Sequence, residues 1–232
     1  MDPVRKFYLD AMDVPVYVRR EHAVEPVIAE PAPTIAVRST APTPSPEIGW
    51  EELQRLVAAC TACELSTMRT QTVFGVGDPG ARWMVVGEAP GAEEDARGEP
   101  FVGRAGQLLN AMLESAGAPR ERVFIANTLK CRPPGNRDPA PAELGACRSF
   151  LDRQIELVQP ELILVVGRIA AQALLDTDTA IGKLRGVVHR YGPREIPLVA
   201  TYHPAYLLRS PGQKRRAWDD LKLALGVAAP IA

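Results

Sequence analysis

Four short apolar runs, each closed by glycine or a polar residue, constrain the fold of this chain more than any other feature. The runs are Trp83-Met84-Val85-Val86, Val123 to Ala126, Leu162 to Val166 and Leu198 to Thr201. Parallel strands buried on both faces have this length and composition. Stretches of helical period lie before, between and after them, at residues 51–59, 106–116, 140–158, 168–175 and 214–225. This alternation predicts a three-layer α/β/α fold around a central four-stranded parallel sheet.

Composition divides the chain into three parts. Residues 26–46 hold six prolines without any helical or alternating apolar period, and we interpret them as an extended linker. Residues 1–25 are either a disordered tail or a short docking segment, with residues 1–20 as the contact for a protein partner. Residues 47–228 then form the folded domain.

Charge and hydropathy exclude several functional classes. The 232 residues carry 27 Lys+Arg and 28 Asp+Glu, a net charge of −1, which excludes a globally basic binder but not a local basic face. The run from Leu162 to Val166 is far shorter than the roughly 20 residues that span a bilayer. No signal-peptide core follows the N-terminus. We therefore expect a cytoplasmic protein without a membrane anchor.

Four cysteines in a chain of this size predict a metal or cluster site before they predict two disulfides. Cys60 and Cys63 form a closely spaced pair at a predicted helix end, Cys131 precedes Arg-Pro-Pro, and Cys147 lies on a predicted helix. Thiolates at such spacing bind tetrahedral zinc or a cubane iron–sulfur cluster. Spacing alone does not choose between these metals, and four inert buried thiols are the remaining alternative.

Glycine and polar residues follow the four predicted strands. The segment Gly87-Glu88-Ala89-Pro90-Gly91 follows the first run, and Asn127, Gly167 and His203 come after the others. Ligands of open α/β sheets bind beyond the carboxyl ends of the strands. We therefore expect a carboxylate, an amide and an imidazole to converge on one crevice.

Three side chains near these ends have both a functional and a structural interpretation. The amide of Asn127 offers a donor and an acceptor to the edge of a nucleobase, or it caps a turn. Pro204 fixes the backbone beside His203 and so directs the imidazole, although most lone histidines are structural. Phe101 lies in a glycine-flanked loop, where an aromatic ring stacks on a planar ligand or fills the core.

A basic segment follows His203. Arg209, Lys214, Arg215 and Arg216 fall within eight residues that contain no acid, which predicts contacts with nucleic-acid phosphates. The alternative is a solvated helix start. Residues 75–80 match a dinucleotide-binding pattern, but they precede a strand, so we interpret them as a turn.

Together these residues resemble the family 4 uracil-DNA glycosylases, an iron–sulfur class of bacteria and archaea. The resemblance covers about residues 50–225, and the four cysteines are placed as in the family. It rests on four motifs in the family's order: Gly87-Glu88-Ala89-Pro90-Gly91-Ala92-Glu93-Glu94-Asp95, Gly98 to Gly106, Asn127-Thr128-Leu129-Lys130-Cys131-Arg132-Pro133-Pro134, and His203-Pro204-Ala205-Tyr206-Leu207-Leu208-Arg209.

The resemblance implies a DNA repair enzyme with a cluster in the domain of residues 47–228. Such an enzyme flips uracil out of DNA and hydrolyses its N-glycosidic bond, leaving an abasic site for base excision repair. It also implies a [4Fe–4S] cluster, with zinc as the alternative, held by Cys60, Cys63, Cys131 and Cys147.

The resemblance assigns roles to the pocket positions. Phe101 stacks on the flipped base, Asn127 pairs with its polar edge, and His203 reaches O2. The backbone from Gly87 through Glu88 to Ala89 lines the pocket. Glu94 lies where the 5-methyl group of thymine would have to fit.

One position departs from better-known members of the superfamily, which carry Asp or Asn at the Ala89 position to orient the attacking water. Family 4 also lacks that group. Glu88, Glu94 and Asn136 are then the candidates, and we expect His203, Glu88 and Asn127 to form the catalytic set.

A rival interpretation is a non-catalytic DNA-binding or replication-associated module that keeps the fold and the cluster. The complete set of pocket residues disfavours it, because a binding module has no need of them. We expect a monomer that acts on uracil-containing DNA at the nucleoid. The range of lesions accepted stays open.

Overall fold

The structure, a computed structural model, describes residues 47–228. The predicted tail and docking segment (1–25) and the predicted linker (26–46) lie outside the described residues. The helices of the described part are α1 (Trp50–Ala58), α2 (Ala92–Arg97), α3 (Arg104–Ser115), α4 (Pro141–Val158), α5 (Arg168–Leu175), α6 (Ile181–Leu184), α7 (Pro204–Arg209) and α8 (Lys214–Val227). Short 3₁₀ turns cover Glu64–Thr67, Arg120–Arg122, Pro134–Asn136 and Pro211–Gln213.

The strands form one six-stranded sheet in the order β1-β3-β2-β4-β6-β5. They are β1 (Val76–Gly77), β2 (Trp83–Gly87), β3 (Phe124–Asn127), β4 (Leu162–Val166), β5 (Val188–Tyr191) and β6 (Ile196–Thr201). The four strands at the centre are parallel, which confirms the prediction. The predicted count of four is two short, because β1 and β5 pair antiparallel at the two edges.

The two missed strands lack the apolar run by which the others are recognised. β1 has only two residues, and β5 (Val-His-Arg-Tyr) contains no fully buried side chain. Residues 75–80, interpreted as a turn, therefore include β1. The turn itself follows, where Asp78 accepts hydrogen bonds from the backbone of Gly80 (2.8 Å) and of Ala81 (3.1 Å).

Helices cover both faces of the sheet, because side chains of successive strand residues point to opposite faces. Met84 and Val86 of β2 pack with α4, α5 and α6 in one apolar cluster. Trp83 and Val85 pack with α3 and α8 in a second. This arrangement is the predicted three-layer α/β/α architecture.

The parallel register brings the carboxyl ends of the central strands to one edge of the sheet. Gly87 at the end of β2 lies opposite Asn127 at the end of β3, and Val166 of β4 lies opposite Thr201 of β6. The chain passes from β2 to β3 on one side and to β4 on the other, so the order reverses at β2. Crevices that bind ligands form at such reversal points.

A third apolar cluster packs α1 against α4. It contains Leu53, Val57 and Phe150, together with the four cysteines. Its position beside the β3 end places the cysteine cluster next to the crevice without making it part of the crevice lining. None of the helices within residues 47–228 has the length and apolar character needed to cross a membrane.

Candidate active site

One crevice at the carboxyl edge of the sheet gathers the predicted pocket residues. Its lining includes six of the seven: Glu88, Ala89, Glu94, Phe101, Asn127 and His203. The seventh, Gly87, lies directly under Asn127 and Phe101. These residues come from β2, β3, the α2–α3 region and the start of α7, so the crevice forms only when the sheet is assembled.

Asn127 is almost fully buried, yet its amide oxygen Oδ1 has no hydrogen-bond partner. The backbone here is fixed on both sides of the peptide bond after Asn127: the N–H of Thr128 donates to the carbonyl of Gly87 at 2.9 Å, and Lys130 Nζ donates to the carbonyl of Asn127 at 2.8 Å. Buried polar atoms in folded proteins are nearly always paired. Asn127 belongs to the crevice lining, so its unpaired oxygen makes the amide our candidate for accepting an N–H group of a ligand.

Phe101 is buried beside Asn127, and its ring lies 5.7 Å from the His203 ring with the two planes 30° apart. Gly87 permits this arrangement. A Cβ at Gly87 would lie 2.4 Å from Asn127 Oδ1 and 2.6 Å from the Phe101 ring. Only glycine lets the amide and the aromatic ring approach the end of β2 this closely.

His203 precedes Pro204 and caps the amino end of α7. The backbone N–H of Ala205 donates to its Nδ1 at 3.1 Å, so in the neutral ring the proton is on Nε2. Burial lowers the pKa of His203 to about 4, and the nearby Arg209 cation acts in the same direction. At neutral pH the imidazole is therefore an uncharged donor through Nε2–H.

Glu88 lines the crevice with a half-buried carboxylate. Burial raises its pKa, and the negative charge of Asp138 adds to that rise, while Arg168 opposes it. None of the described residues hydrogen-bonds this carboxylate. It is therefore free to hold a water molecule or a polar ligand.

The other two candidates for holding water are engaged elsewhere. Glu94 accepts hydrogen bonds from the backbone N–H groups of Gly91 (3.0 Å), Val102 (3.1 Å) and Gly103 (3.4 Å). Asn136 accepts one from Arg132 at 2.8 Å. Of the three, Glu88 is the one whose side chain makes no hydrogen bond within residues 47–228.

The predicted basic segment divides into two groups. Arg209 ends α7 and lines the crevice, whereas Lys214, Arg215 and Arg216 are exposed in the first turn of α8 and are absent from the lining. Three further arginines line the crevice that were not predicted as DNA contacts: Arg104, Arg137 and Arg168.

These arginines differ in their pairing. Arg137 forms an ion pair with Glu143 at 2.6 Å, and Arg168 forms one with Asp138 at 2.7 Å. Arg104 and Arg209 have no ion-pair partner within residues 47–228. These two exposed cations remain available for an anionic ligand at the rim.

The four cysteines line a separate small cavity and form no disulfide with one another. Two donors face their sulfur atoms: Arg69 Nη1 lies 3.1 Å from Cys131 Sγ, and the Lys130 N–H lies 3.3 Å from Cys147 Sγ. Burial raises the pKa of the Cys147 thiol to about 12, so ionisation there needs a bound cation.

Within the described residues, no group of three or more histidine, cysteine or carboxylate side chains is placed to hold a single metal ion. A lone zinc ion needs its sulfur ligands about 2.3 Å away. The four thiols line one cavity, as either kind of site requires. A cubane cluster has an iron atom at each of four corners, so it accepts thiolates that stand farther apart.

Comparison with known proteins gives one consistent family. A family model described as the uracil DNA glycosylase superfamily matches residues 74–222. The chain is 44% identical over 179 residues to the type-4 uracil-DNA glycosylase of Archaeoglobus fulgidus, covering 74% of this chain and 89% of the relative. Its identity to the type-4 enzyme of Thermotoga maritima is 44% over 172 residues, with coverage of 72% and 88%.

The chain belongs to the type-4 uracil-DNA glycosylases. A type-5 uracil-DNA glycosylase of Thermus thermophilus is more distant, at 35% identity over 153 residues, covering 56% of this chain and 68% of the relative. The resemblance drawn from the four motifs is thereby confirmed, as is the fold class that it implies.

Sequence reasoning missed one residue that holds this type-4 pocket in shape. Arg120 contacts the backbone of the Phe101 loop, which the predicted pocket residue Glu94 also contacts. Arg120 lies outside every motif, since nothing in its neighbourhood distinguishes it from a surface arginine. Only the positive φ of Phe101, at 55°, marks a loop that needs such support, and that angle is not visible in a sequence.

We expect His203 to stay neutral across the physiological range. Because burial lowers its pKa, the charged form accumulates only as the pH falls towards about 4. An NMR titration of the imidazole, assigned with a His203→Ala variant, should show no transition between pH 5.5 and 8. A midpoint near 6.5 would show an exposed ring and would contradict the neutral-donor assignment.

Proposed function

We propose that the crevice binds a uracil rotated out of DNA, and that the chain hydrolyses the bond between uracil N1 and the sugar, leaving an abasic site. Membership of the type-4 uracil-DNA glycosylases carries the activity. The orphaned Oδ1 of Asn127 carries the choice of base, because uracil offers an N–H at N3 to satisfy it.

Selection against cytosine follows from the same amide. Uracil presents an N–H at N3 and an acceptor at O4, so the Asn127 amide accepts from the first and donates to the second. Cytosine presents an acceptor and a donor instead. The amide oxygen of Asn127 would then face the acceptor N3, and the amide N–H would face the amino group at C4. Neither pair can form a hydrogen bond, and sites built on hydrogen bonds reject such analogues strongly.

Selection against thymine requires a steric clash, since thymine differs from uracil by one methyl group only. Glu94 supports this role by its rigidity. Its carboxylate is fixed by three backbone N–H groups, so the wall that it forms cannot retreat from a 5-methyl group without breaking hydrogen bonds. Phe101 beside it offers a stacking face for the ring.

Bond cleavage leaves negative charge on the departing base, largely on O2. The Nε2–H of His203 is the donor placed for that charge, and its orientation is fixed in advance by the bond between Ala205 N–H and Nδ1. Donors of this kind are worth about 3–4 kcal/mol in the transition state. A neutral ring stabilises the oxyanion without having to lose a proton.

We assign the attacking water to Glu88. Its carboxylate lines the crevice, is half-buried and has no hydrogen-bond partner among residues 47–228. Once ionised it accepts a hydrogen bond from water and directs an oxygen lone pair to the sugar carbon. Glu88 thus takes the place of the group that is missing at Ala89.

Exposed arginine and lysine side chains near the crevice are the proposed contacts for the DNA phosphates. Extrusion of a base costs a few kcal/mol, which phosphate contacts offset. Arg209 at the crevice rim is placed for phosphates next to the extruded nucleotide. Lys214, Arg215 and Arg216 extend the positive surface along the start of α8, where the duplex would continue.

We propose that Cys60, Cys63, Cys131 and Cys147 hold a [4Fe–4S] cluster. Membership of the type-4 family, the cavity that the four thiols share and the donors on two sulfur atoms support this proposal. When bound, the cluster supplies a structural link between α1, the segment after β3 and α4. No step of base excision needs it.

We further propose that the enzyme acts as a monomer in the cytoplasm, at the nucleoid. The crevice gathers an amide, an imidazole, an aromatic ring and a carboxylate, so the proposed chemistry needs no residue from a second copy. Docking of a protein partner through residues 1–20 remains a proposal from the sequence.

Purified protein should release uracil from a uracil-containing oligonucleotide, which alkali then cleaves at the abasic site. The His203→Ala variant should bind the same DNA with unchanged affinity but excise uracil at least 100-fold more slowly under single-turnover conditions, because it loses the O2 donor. His189→Ala, on the edge strand β5 and outside the crevice lining, is the matched control and should retain full activity. Binding without excision by the parent protein would instead favour the non-catalytic module.

Anaerobically purified protein should absorb broadly in the visible blue and contain about four iron atoms per chain. The Cys147→Ser variant should lose this absorption, because an alcohol replaces one ligand. Stoichiometric zinc without iron would overturn the cluster assignment.

A further inference from the structure

A single arginine, Arg120, holds the loop that carries Phe101 by hydrogen bonds. The guanidinium of Arg120 donates to the carbonyl of Pro100 at 2.6 Å and to that of Phe101 at 3.4 Å. It also pairs with Glu99 at 2.9 Å. Each of the three residues from Glu99 to Phe101 thus contacts the same planar group.

Arg120 is itself fixed to the body of the fold. Its Nη1 donates to Asn110 Oδ1 on α3 at 3.1 Å, and its side chain is only 19% exposed. It belongs to the 3₁₀ turn that leads into β3, the strand that ends at Asn127. Arg120 therefore connects the Phe101 loop to both α3 and the strand that carries the pocket amide.

Glu94 holds the part of the loop that follows Phe101 in the chain. Its carboxylate accepts from the N–H groups of Val102 and Gly103, directly after Phe101. The carbonyl groups before the ring and the N–H groups after it are thus held by opposite charges. The main chain around Phe101 has little freedom left.

Phe101 needs this support because its backbone is unusual. Its φ of 55° lies in the left-handed region, which non-glycine residues adopt only where the surroundings impose it. The approach of α3 is equally tight, since a Cβ at Gly106 would lie 1.7 Å from the Phe101 carbonyl oxygen. Without outside contacts the loop would relax and move the ring.

We propose that Arg120 is a positioning residue that holds the Phe101 ring as the stacking face for the extruded base. This inference rests on the proposed function and deepens it. Arg120 is absent from the crevice lining and does not touch the base. Arg120 acts through Phe101. Its planar guanidinium group donates to two carbonyls and a carboxylate at once, which the ammonium group of lysine does not do.

The test compares Arg120→Met with Arg122→Met. Both remove one cation from the same turn, but Arg122 is exposed and none of its side-chain atoms contacts the Phe101 loop. Three quantities are measured in each variant: the inhibition constant of free uracil, the single-turnover excision rate and the affinity for abasic-site DNA, which brings no base to the pocket.

Arg120→Met should weaken binding of free uracil and slow excision by about tenfold each, the lower range of a lost base–aromatic stack. Affinity for abasic-site DNA should not change, and Arg122→Met should leave all three quantities unchanged. A general structural defect would lower the abasic-DNA affinity as well. If Arg120→Met does not fold, Arg120→Lys keeps the charge beside Glu99 and should show the same pattern at smaller size.

A double-mutant cycle with Phe101→Ala decides whether Arg120 acts through the ring. Phe101→Ala should reproduce the losses of Arg120→Met, and the double variant should lose no more than Phe101→Ala alone. Additive losses, or equal effects of the Arg120 and Arg122 variants, would overturn the inference. A parent protein that releases no uracil would reject the proposed function itself, which is a distinguishable result.

Discussion

The buried amide of Asn127 is the interaction on which the rest of the pocket depends. A buried acceptor left without a donor costs about 1–3 kcal/mol, and the folded chain carries that cost at the end of a central strand. In the proposed function the N3–H of the flipped base recovers this cost. We therefore expect specificity and binding to depend on the same atom, since a base that cannot donate would leave the oxygen unpaired.

The pocket keeps its shape through backbone contacts made by charged and polar side chains. Glu94 and Arg120 hold the Phe101 loop from opposite sides. The Ala205 N–H fixes the His203 ring and its protonated nitrogen. The pocket is thus preorganised, so little binding energy is needed to arrange donors around the base.

The sequence predicted the central fold well because buried parallel strands leave a clear pattern. β4 and α5 were predicted at the residues where the structure has them, and Asn127 and His203 were placed together through the strand-end rule alone. The edge strands β1 and β5 were not predicted, since β1 has only two residues and β5 has no buried apolar run. Arg120 escaped as well, because its role depends on the left-handed backbone of Phe101, a property of the assembled loop.

The most direct measurement is a crystal structure of the protein with uracil bound. We expect uracil N3 to lie within about 2.7–3.2 Å of Asn127 Oδ1. Its O2 should face His203 Nε2, and its ring should stack against Phe101. Uracil bound elsewhere, or bound in the crevice with the Asn127 oxygen still unpaired, would contradict it.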